Sequence, residues 1–175
     1  MPRKVSHVPT LSDAIKKKKP VRILFVCHGN ICRSPMAEFI MRDLLRRNGA
    51  DGAFLVESAA VSDEESGNDI YYAAQEELRR RGVPFQARHA RRMTRGDYDR
   101  FDIIAVMDES NLRNVRRITG GDPQAKVQLL LAFAGESRSI SDPWYTRDFA
   151  TAYAEILRGC NALLEALTGG APSRA

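Results

Sequence analysis

The sequence has few cysteines and no long apolar run. Its 175 residues include three cysteines, Cys27, Cys32 and Cys160. So small and odd a number does not supply the disulfide framework of a small secreted protein, and it fits a reducing compartment in which a thiol can be catalytic. No apolar stretch approaches the roughly 20 residues that span a bilayer, and the basic N-terminus lacks the apolar segment of a secretory signal. We therefore expect a cytoplasmic protein.

Metal ligands are also scarce. Cys27 and Cys32 are not accompanied by a second cysteine pair or by suitably spaced histidines, as a structural zinc site would require. We expect no metal ion.

Basic residues are in excess, giving a net charge of +5, but the excess is confined to one segment. Residues 1–20 carry six lysines and arginines against one acidic residue, and the rest of the chain carries 21 of each sign. The body of the protein therefore has no basic surplus that would indicate nucleic-acid binding. We interpret residues 1–20 as a flexible basic extension, suited to an acidic partner or a membrane surface.

The remaining chain alternates between apolar strands and amphipathic helices. A length of 175 residues suits one domain with a sizeable core. We predict one α/β domain over residues 21–168, with a parallel sheet covered by helices on both faces, and a flexible C-terminus over residues 169–175. The predicted strands cover residues 21–26, 53–58, 102–107 and 126–129, and the helices cover residues 35–47, 70–81, 109–118 and 147–167.

One loop stands out between the first strand and the first helix after it. Cys27 ends the strand, Arg33 follows six residues later, and Ser34 and Pro35 are typical of an N-cap and a first helical position. Gly29 and Asn30 between them tolerate left-handed backbone angles. Such a loop can direct several N–H groups at one point, and ligands of parallel sheets bind beyond the carboxyl ends of the strands. The loop predicts an anion site.

The residue types in this loop indicate phosphate chemistry. Arg33 offers a planar fork of donors that matches a phosphate, and the helix N-terminus adds positive potential. The same field stabilises a thiolate, and the Ser34 hydroxyl can donate a hydrogen bond to the sulfur. We therefore predict that Cys27 is an ionised nucleophile that attacks the phosphorus of a phosphoester.

A leaving group needs a proton, and the best candidate donor is Asp142. Pro143 holds the backbone of Asp142 extended, and Trp144 and Tyr145 beside it can wall a pocket. Asp142 could protonate the leaving oxygen and then activate the water that hydrolyses the phosphocysteine.

Two further residues, His28 and Cys32, allow more than one interpretation, and a third, Cys160, allows one. His28 could adjust the reactivity of the nucleophile or line the entrance of the site, although the simpler interpretation is an exposed loop residue. Cys32 is either an ordinary loop residue or the partner of Cys27 in a reversible disulfide. Cys160 lies on the apolar stripe of the last helix, which predicts a buried core thiol.

Residues 26–38 and 142–145 resemble the low-molecular-weight protein tyrosine phosphatases, as do the shorter segments 58–60, 90–91 and 107–111. The similarity covers roughly residues 21–168. It implies a flavodoxin- or Rossmann-like domain with a four-stranded parallel sheet, no metal or organic cofactor, and a monomer or weak dimer. The implied substrate is a phosphotyrosine protein or a small aryl phosphate.

The resemblance also implies residue roles. Cys27 would be the nucleophile and Asp142 the acid and then the base. Arg33 and the loop backbone would bind phosphate. Asn30 and Ser34 would hold the loop and assist the thiolate, and Ser58 would support Asn30. The loop residues in question are His28, Gly29, Asn30, Ile31, Cys32 and Ser34.

The chain departs from the family pattern in three places. Glu64, within the acidic stretch 63–65, falls where relatives place an aromatic or apolar wall of the substrate cleft. An acidic rim there should repel acidic phosphopeptides. Arg88 falls on a family histidine, with His89 one step away. The basic segment 1–20 is the third departure.

Three other functions fit the same loop less well. An arsenate reductase would need relay cysteines after the third strand, where this chain has none. Protein-arginine phosphatases tend to carry threonine in place of Ile31, whose bulk favours an aryl phosphate. A binding module acting through residues 1–20 would leave Cys27, Arg33 and Asp142 without a purpose.

Overall fold

A parallel sheet of four strands forms the centre of the computed structural model, which describes residues 8–169. The strand order is β2-β1-β3-β4, and Cys27 at the end of β1 lies opposite Ala60 at the end of β2. This arrangement confirms the predicted α/β fold. The strands are β1 (Val21–Cys27), β2 (Phe54–Ala60), β3 (Ile103–Val106) and β4 (Val127–Leu129).

Helices cover both faces of the sheet, as predicted. The helices are α1 (Leu11–Lys17), α2 (Arg33–Arg47), α3 (Tyr72–Arg80), α4 (Arg95–Arg100), α5 (Glu109–Thr119), α6 (Pro143–Thr146) and α7 (Phe149–Thr168), with 3-10 turns at Asp51–Ala53 and Leu130–Ala134. Apolar residues of α2, α3 and α7 pack on one face of the sheet, and those of α4 and α5 pack on the other.

The alternation of side chains along β1 explains its unbroken apolar sequence. Ile23 and Phe25 lie in the core beneath α2 and α7, whereas Leu24 and Val26 lie in the core beneath α4 and α5. All four are fully buried. A strand buried on both faces is typical of a parallel sheet with helices on each side.

Helix α7 is the longest helix of its layer. Cys160 lies on it with no solvent exposure, which confirms the predicted core thiol, and burial raises the pKa of this thiol. Gly159 beside it allows a close approach, because a Cβ atom there would lie only 2.5 Å from Cγ of Leu130.

The N-terminal segment differs from the expected extension where it is described. Residues 11–17 form α1, in which the backbone N–H of Thr10 donates to Asp13 at 2.8 Å. Ala14 is buried and Leu11 packs against the main core, while Ile15 stays exposed. In the sequence, the lysines of residues 16–19 dominate the composition of this segment, so the small apolar face of α1 gives only a weak signal. The flexibility predicted for residues 1–20 and 169–175 stays a prediction, and residues 1–7 and 170–175 lie outside the described residues.

Some helix boundaries also differ from the sequence prediction. Helix α2 begins at Arg33, so Ser34 is not its N-cap, and the hydroxyl of Ser34 is directed at Cys27 instead. Helix α4 was not predicted, because it is short and polar. Across residues 8–169, no helix has the length and apolar character needed to cross a membrane.

Candidate active site

The loop between β1 and α2 lies at the carboxyl edge of the sheet, at the point where the strand order reverses. In open α/β sheets this is where ligands bind. Asn30 has a φ of +60°, so it adopts the predicted left-handed conformation. Gly29 does not have a positive φ. A Cβ atom at Gly29 would lie 3.2 Å from Cγ of Glu65, so a larger residue there would require the Glu65 side chain to shift by a few tenths of an ångström.

Two groups surround the sulfur of Cys27. The Oγ of Ser34 lies 3.0 Å from Cys27 Sγ, and the backbone N–H of Asn30 points at the same sulfur over 3.3 Å. Cys27 itself is buried. The loop therefore places at the sulfur a backbone N–H and a hydroxyl that can donate a hydrogen bond to it.

A buried chain of polar side chains supports these two donors. The Nδ2 group of Asn30 donates to Ser34 Oγ at 2.8 Å and to Ser58 Oγ at 2.9 Å. The Ser58 hydroxyl donates to Glu38 at 2.8 Å. Burial raises the pKa of Glu38, which favours its protonated form. The position of Ser58 agrees with the support that the family resemblance implies, whereas Glu38 was missed by the sequence analysis.

Arg33 connects three segments that are distant in sequence. Its NH1 group donates to Asp108 Oδ2 and to the carbonyl oxygen of Ile140, each at 2.9 Å. Its NH2 group donates to Asp142 Oδ2 at 3.2 Å. The guanidinium is therefore held at the carboxyl edge of the sheet, and its direction is fixed before any anion binds.

Asp108 is a site residue that the sequence analysis did not assign. It follows β3 and caps α5 by accepting the N–H of Asn111 at 2.7 Å, while its other oxygen accepts from Arg33. The sequence indicated only the cap. Its place directly after a buried strand, at the same sheet edge as Cys27, was the available signal.

Asp142 reaches the loop from the other end of the chain. It caps the short helix α6, accepting the N–H of Trp144 at 3.1 Å through Oδ1. Its Oδ2 is directed at Arg33. The cap and the following Pro143 thus aim the carboxylate at the phosphate-binding loop.

One pocket brings together most of the predicted site residues, whereas Asn30, Ser34 and Ser58 do not line it. One wall is acidic: Glu64 contacts His28 Nε2 at 3.2 Å, and Glu65 lies beside it. The opposite wall is aromatic, with Trp144 40% and Tyr145 81% exposed. The cavity volume is about 180 Å³, and the lining residues are Cys27, His28, Gly29, Ile31, Cys32, Arg33, Glu64, Glu65, Asp142, Trp144 and Tyr145.

A second layer of residues, not predicted, stands behind the aromatic wall. The rings of Tyr71 and Trp144 meet edge to face at 5.1 Å, and Tyr71 stacks on Phe149 at 5.9 Å. Arg147 donates to the hydroxyl of Tyr71 at 3.0 Å and lies over the Trp144 ring. These contacts fix the orientation of Trp144 at the mouth.

Cys32 lines the pocket but differs from Cys27 in its surroundings. It is buried, and burial raises the pKa of its thiol, with a further rise from the charges on Cys27 and Asp142. Cys32 therefore stays protonated and does not compete as a nucleophile. Both thiols are free, and a reversible disulfide between them stays a prediction.

The fold and the pocket define an α/β protein with a cysteine- and arginine-containing anion-binding loop at its first strand-to-helix junction. The family model described as low molecular weight phosphotyrosine protein phosphatase matches residues 22–171, and the chain belongs to this family. Its members are enzymes, so both the predicted family and the predicted phosphatase class are confirmed.

Relatives and solved structures agree with this assignment. The chain is 38% identical over 149 residues to the low molecular weight protein-tyrosine-phosphatase YfkJ of Bacillus subtilis, covering 84% of this chain and 96% of YfkJ. It is 40% identical over 148 residues to the Homo sapiens low molecular weight phosphotyrosine protein phosphatase, covering 82% and 93%.

Among crystal structures, YfkJ superposes with a TM-score of 0.81 at 38% identity, covering 83% of this chain and 93% of that one. The Drosophila arginine phosphatase DARP superposes with a TM-score of 0.75 at 31% identity, covering 82% and 95%.

Proposed function

We propose that this protein hydrolyses aryl phosphate monoesters, above all phosphotyrosine in proteins, through a phosphocysteine intermediate. The observation that carries the proposal is the meeting of Cys27, Arg33 and Asp142 in one pocket, with Ser34 and the Asn30 N–H directed at the sulfur. A nucleophile, a phosphate ligand and a proton donor are the groups that this reaction needs.

In the first step, the Cys27 thiolate attacks phosphorus from beneath the bound phosphate. The sulfur–phosphorus bond forms as the bond to the aryl oxygen breaks, and protonated Asp142 gives its proton to the departing oxygen. Arg33 and the loop N–H groups bind the equatorial oxygens and stabilise their charge in the transition state. The loop backbone is fixed by its buried contacts, so this stabilisation needs no rearrangement.

In the second step, the Asp142 carboxylate removes a proton from water, and the resulting oxygen nucleophile attacks the phosphocysteine. The sulfur–phosphorus bond breaks, inorganic phosphate leaves, and Cys27 returns to the thiolate. Ser34 donates to this sulfur as its charge develops, which makes it a better leaving group. Asp142 therefore acts first as acid and then as base.

The pocket has an acidic side and an aromatic side, and this lining favours a flat substrate. Ile31 lines the pocket, and Trp144 and Tyr145 can pack against an aryl ring. Glu64 and Glu65 disfavour substrates with acidic flanking residues. We expect phosphotyrosine sites with neutral or basic neighbours to be hydrolysed fastest.

Protein phosphoarginine is a second candidate substrate. The solved structure of the Drosophila arginine phosphatase is similar to this chain, and the carboxylates of Glu64 and Glu65 at the mouth suit a cationic guanidinium. Turnover of phosphoarginine well above that of phosphotyrosine would replace the proposed substrate while leaving the mechanism intact.

The decisive test is turnover of para-nitrophenyl phosphate in the presence of a chelator, by the wild type and by Cys27→Ser. We expect wild-type turnover to persist without metal and the variant to be inactive. Retained activity in Cys27→Ser would refute the nucleophile assignment. The double variant Cys27→Ser, Asp142→Ala, used to capture phosphoproteins from a native extract, then identifies the substrate class.

We further propose that the lysines of residues 16–19 bind an acidic partner or an anionic membrane surface. All four are exposed. They precede Val21, which begins β1, whereas Cys27 ends it, so the two sites lie about 20 Å apart and binding would leave the pocket open. Salt-sensitive sedimentation with anionic vesicles, lost when the four lysines are changed to glutamine, tests the membrane case.

We also propose a cytoplasmic monomer or weak dimer. The free state of the three thiols supports a reducing compartment. Sedimentation velocity over a range of concentrations measures the oligomeric state.

A further inference from the structure

Asn30 is the most constrained residue of the phosphate-binding loop. It is fully buried with a left-handed φ of +60°, and each of its polar groups has a partner. Besides the bonds already described, its side-chain Oδ1 accepts the backbone N–H of Arg91 at 3.2 Å. Its backbone oxygen accepts from the guanidinium of Arg88 at 2.5 Å. A non-glycine residue in this conformation persists because its surroundings hold it.

Arg88 is itself held rigidly. It lies partly buried on the segment that connects α3 and α4. Its NH1 group donates to the carbonyl oxygen of Asn68 at 3.2 Å, and its backbone N–H donates to Asp69 Oδ1 at 3.2 Å. The next turn of this segment is fixed by the N–H of Ala90, which donates to the same Asn68 oxygen at 2.7 Å. The guanidinium thus bridges two backbone carbonyl oxygens, those of Asn68 and Asn30.

Arg88 also brings positive charge to the protein side of the loop. Burial lowers the pKa of Arg88, while the negative charges of Glu38, Cys27 and Asp69 raise it. Arginine remains protonated in proteins. Glu38 offsets only part of this charge, because burial raises the pKa of Glu38 and so favours its neutral form.

Other charged groups also face Cys27. Arg33 and Asp142 lie on the pocket side, and His28 lies at the mouth beside Glu64. Arg33 is matched by two carboxylates, Asp108 and Asp142. Arg88 makes no ion pair within 4 Å among residues 8–169, so its charge is less compensated than that of Arg33.

We propose that Arg88 is a positioning residue of this phosphatase, which holds the Asn30 carbonyl so that the Asn30 N–H points at Cys27, and which favours the thiolate through its permanent charge. The inference rests on the proposed function. It assigns the acidity of the nucleophile partly to a residue that touches neither substrate nor sulfur.

The test compares Arg88→Met, Arg88→Lys and the matched control Arg92→Met. Arg92 lies on the same segment and is exposed, and no side-chain hydrogen bond or ion pair involves it within the described chain. Each variant is assayed for kcat/KM with an aryl phosphate. The rate of Cys27 alkylation by iodoacetamide is followed against pH, with mass spectrometry to locate the label, and thermal unfolding checks the fold.

We expect Arg88→Met to lower kcat/KM about ten- to a hundredfold, the range that follows from losing a hydrogen bond of a charged donor. The midpoint of Cys27 alkylation should move to higher pH. Arg88→Lys keeps the positive charge but loses the paired donors of the guanidinium. It should therefore retain the wild-type alkylation midpoint and have a kcat/KM between those of Arg88→Met and the wild type. Arg92→Met should match the wild type in both measurements.

Folded Arg88→Met with wild-type kcat/KM and a wild-type alkylation midpoint would overturn the proposal. A midpoint shift of the same size in Arg88→Lys would overturn the role of charge. If Arg88→Met does not fold, Arg88→Gln is measured under the same criteria. Absence of phosphatase turnover in the wild type would instead refute the proposed function, and the alkylation profiles would still decide the role of Arg88.

Discussion

Replacing Asp142 by asparagine separates its proposed chemical role from its structural one. Asparagine caps helices about as well as aspartate, so the bond from the Trp144 N–H to the side-chain oxygen should persist. The side chain loses its proton and its charge, and with the charge goes the ion pair to Arg33 at 3.2 Å. We therefore expect little change in stability and a large change in chemistry.

The size of the effect should depend on the leaving group. General acid catalysis contributes about 10²–10⁴-fold, and a leaving group that departs readily without a proton does not need it. Asp142→Asn should therefore slow the hydrolysis of phenyl phosphate by a factor in this range and that of a dinitrophenyl phosphate far less. The measurement is kcat/KM over a series of aryl phosphates, plotted against the acidity of the phenol.

Asp108→Asn is the matched control. Asp108 also caps a helix and also accepts from Arg33, at 2.9 Å, but it is not among the pocket-lining residues. Its replacement should lower kcat/KM by a similar factor for every leaving group, because it acts through the position of Arg33. If Asp142→Asn shows the same uniform loss, Asp142 is not the general acid.

Three other changes have defined outcomes. Ser34→Ala, which removes the hydroxyl 3.0 Å from Cys27 Sγ, should lower kcat about ten- to a hundredfold in stopped-flow or steady-state assays; unchanged kcat would show that the hydroxyl does not assist the sulfur. Glu64→Tyr should raise kcat/KM for an acidic phosphotyrosine peptide relative to a neutral one about two- to fivefold, with the gain fading at high salt; a salt-independent gain would point to ring packing rather than charge. Gly159→Ala should destabilise the fold by about 1–3 kcal/mol, because its Cβ would overlap Leu130, whereas Gly96→Ala in α4 has no contact closer than 3.7 Å and should be neutral or stabilising in thermal unfolding; equal effects would refute the packing argument.

The sequence was sufficient where chemistry and position coincide in a short segment. Cys27, Arg33 and Ser34 stand between an apolar strand and a helix, so one stretch of residues predicted both the anion site and its place in the sheet. Asp142 was identified because the following proline holds its backbone extended and the two aromatic residues beside it can wall a pocket. The four strands followed from apolar runs of a length typical of parallel sheets.

The sequence was insufficient where a side chain has two roles or acts from a distance. Asp108 caps a helix, and this role accounted for its residue type; its place after a buried strand indicated the sheet edge but not its contact with Arg33. Arg88 reaches the Asn30 carbonyl 58 residues away, and no local pattern indicates such a contact. At α1 the sequence indicated no more than a short helical turn with Leu11 and Ile15 on one face, because the apolar face is small and the adjoining lysines dominate the composition.

The partners of Arg33 lie 75, 107 and 109 residues further along the chain. Asp108 follows β3, whereas Ile140 and Asp142 precede α6. The guanidinium is therefore oriented only after the connection from β1 to β3 and the connection from β3 to α6 have both folded onto the sheet. Contacts of such sequence separation form late, since they require closure of long loops. The gain of oxyanion binding during refolding should therefore coincide with completion of the tertiary fold rather than with formation of α2. Inorganic phosphate, by binding only the completed edge, should stabilise the native state by an amount that rises with the logarithm of its concentration once the site is saturated.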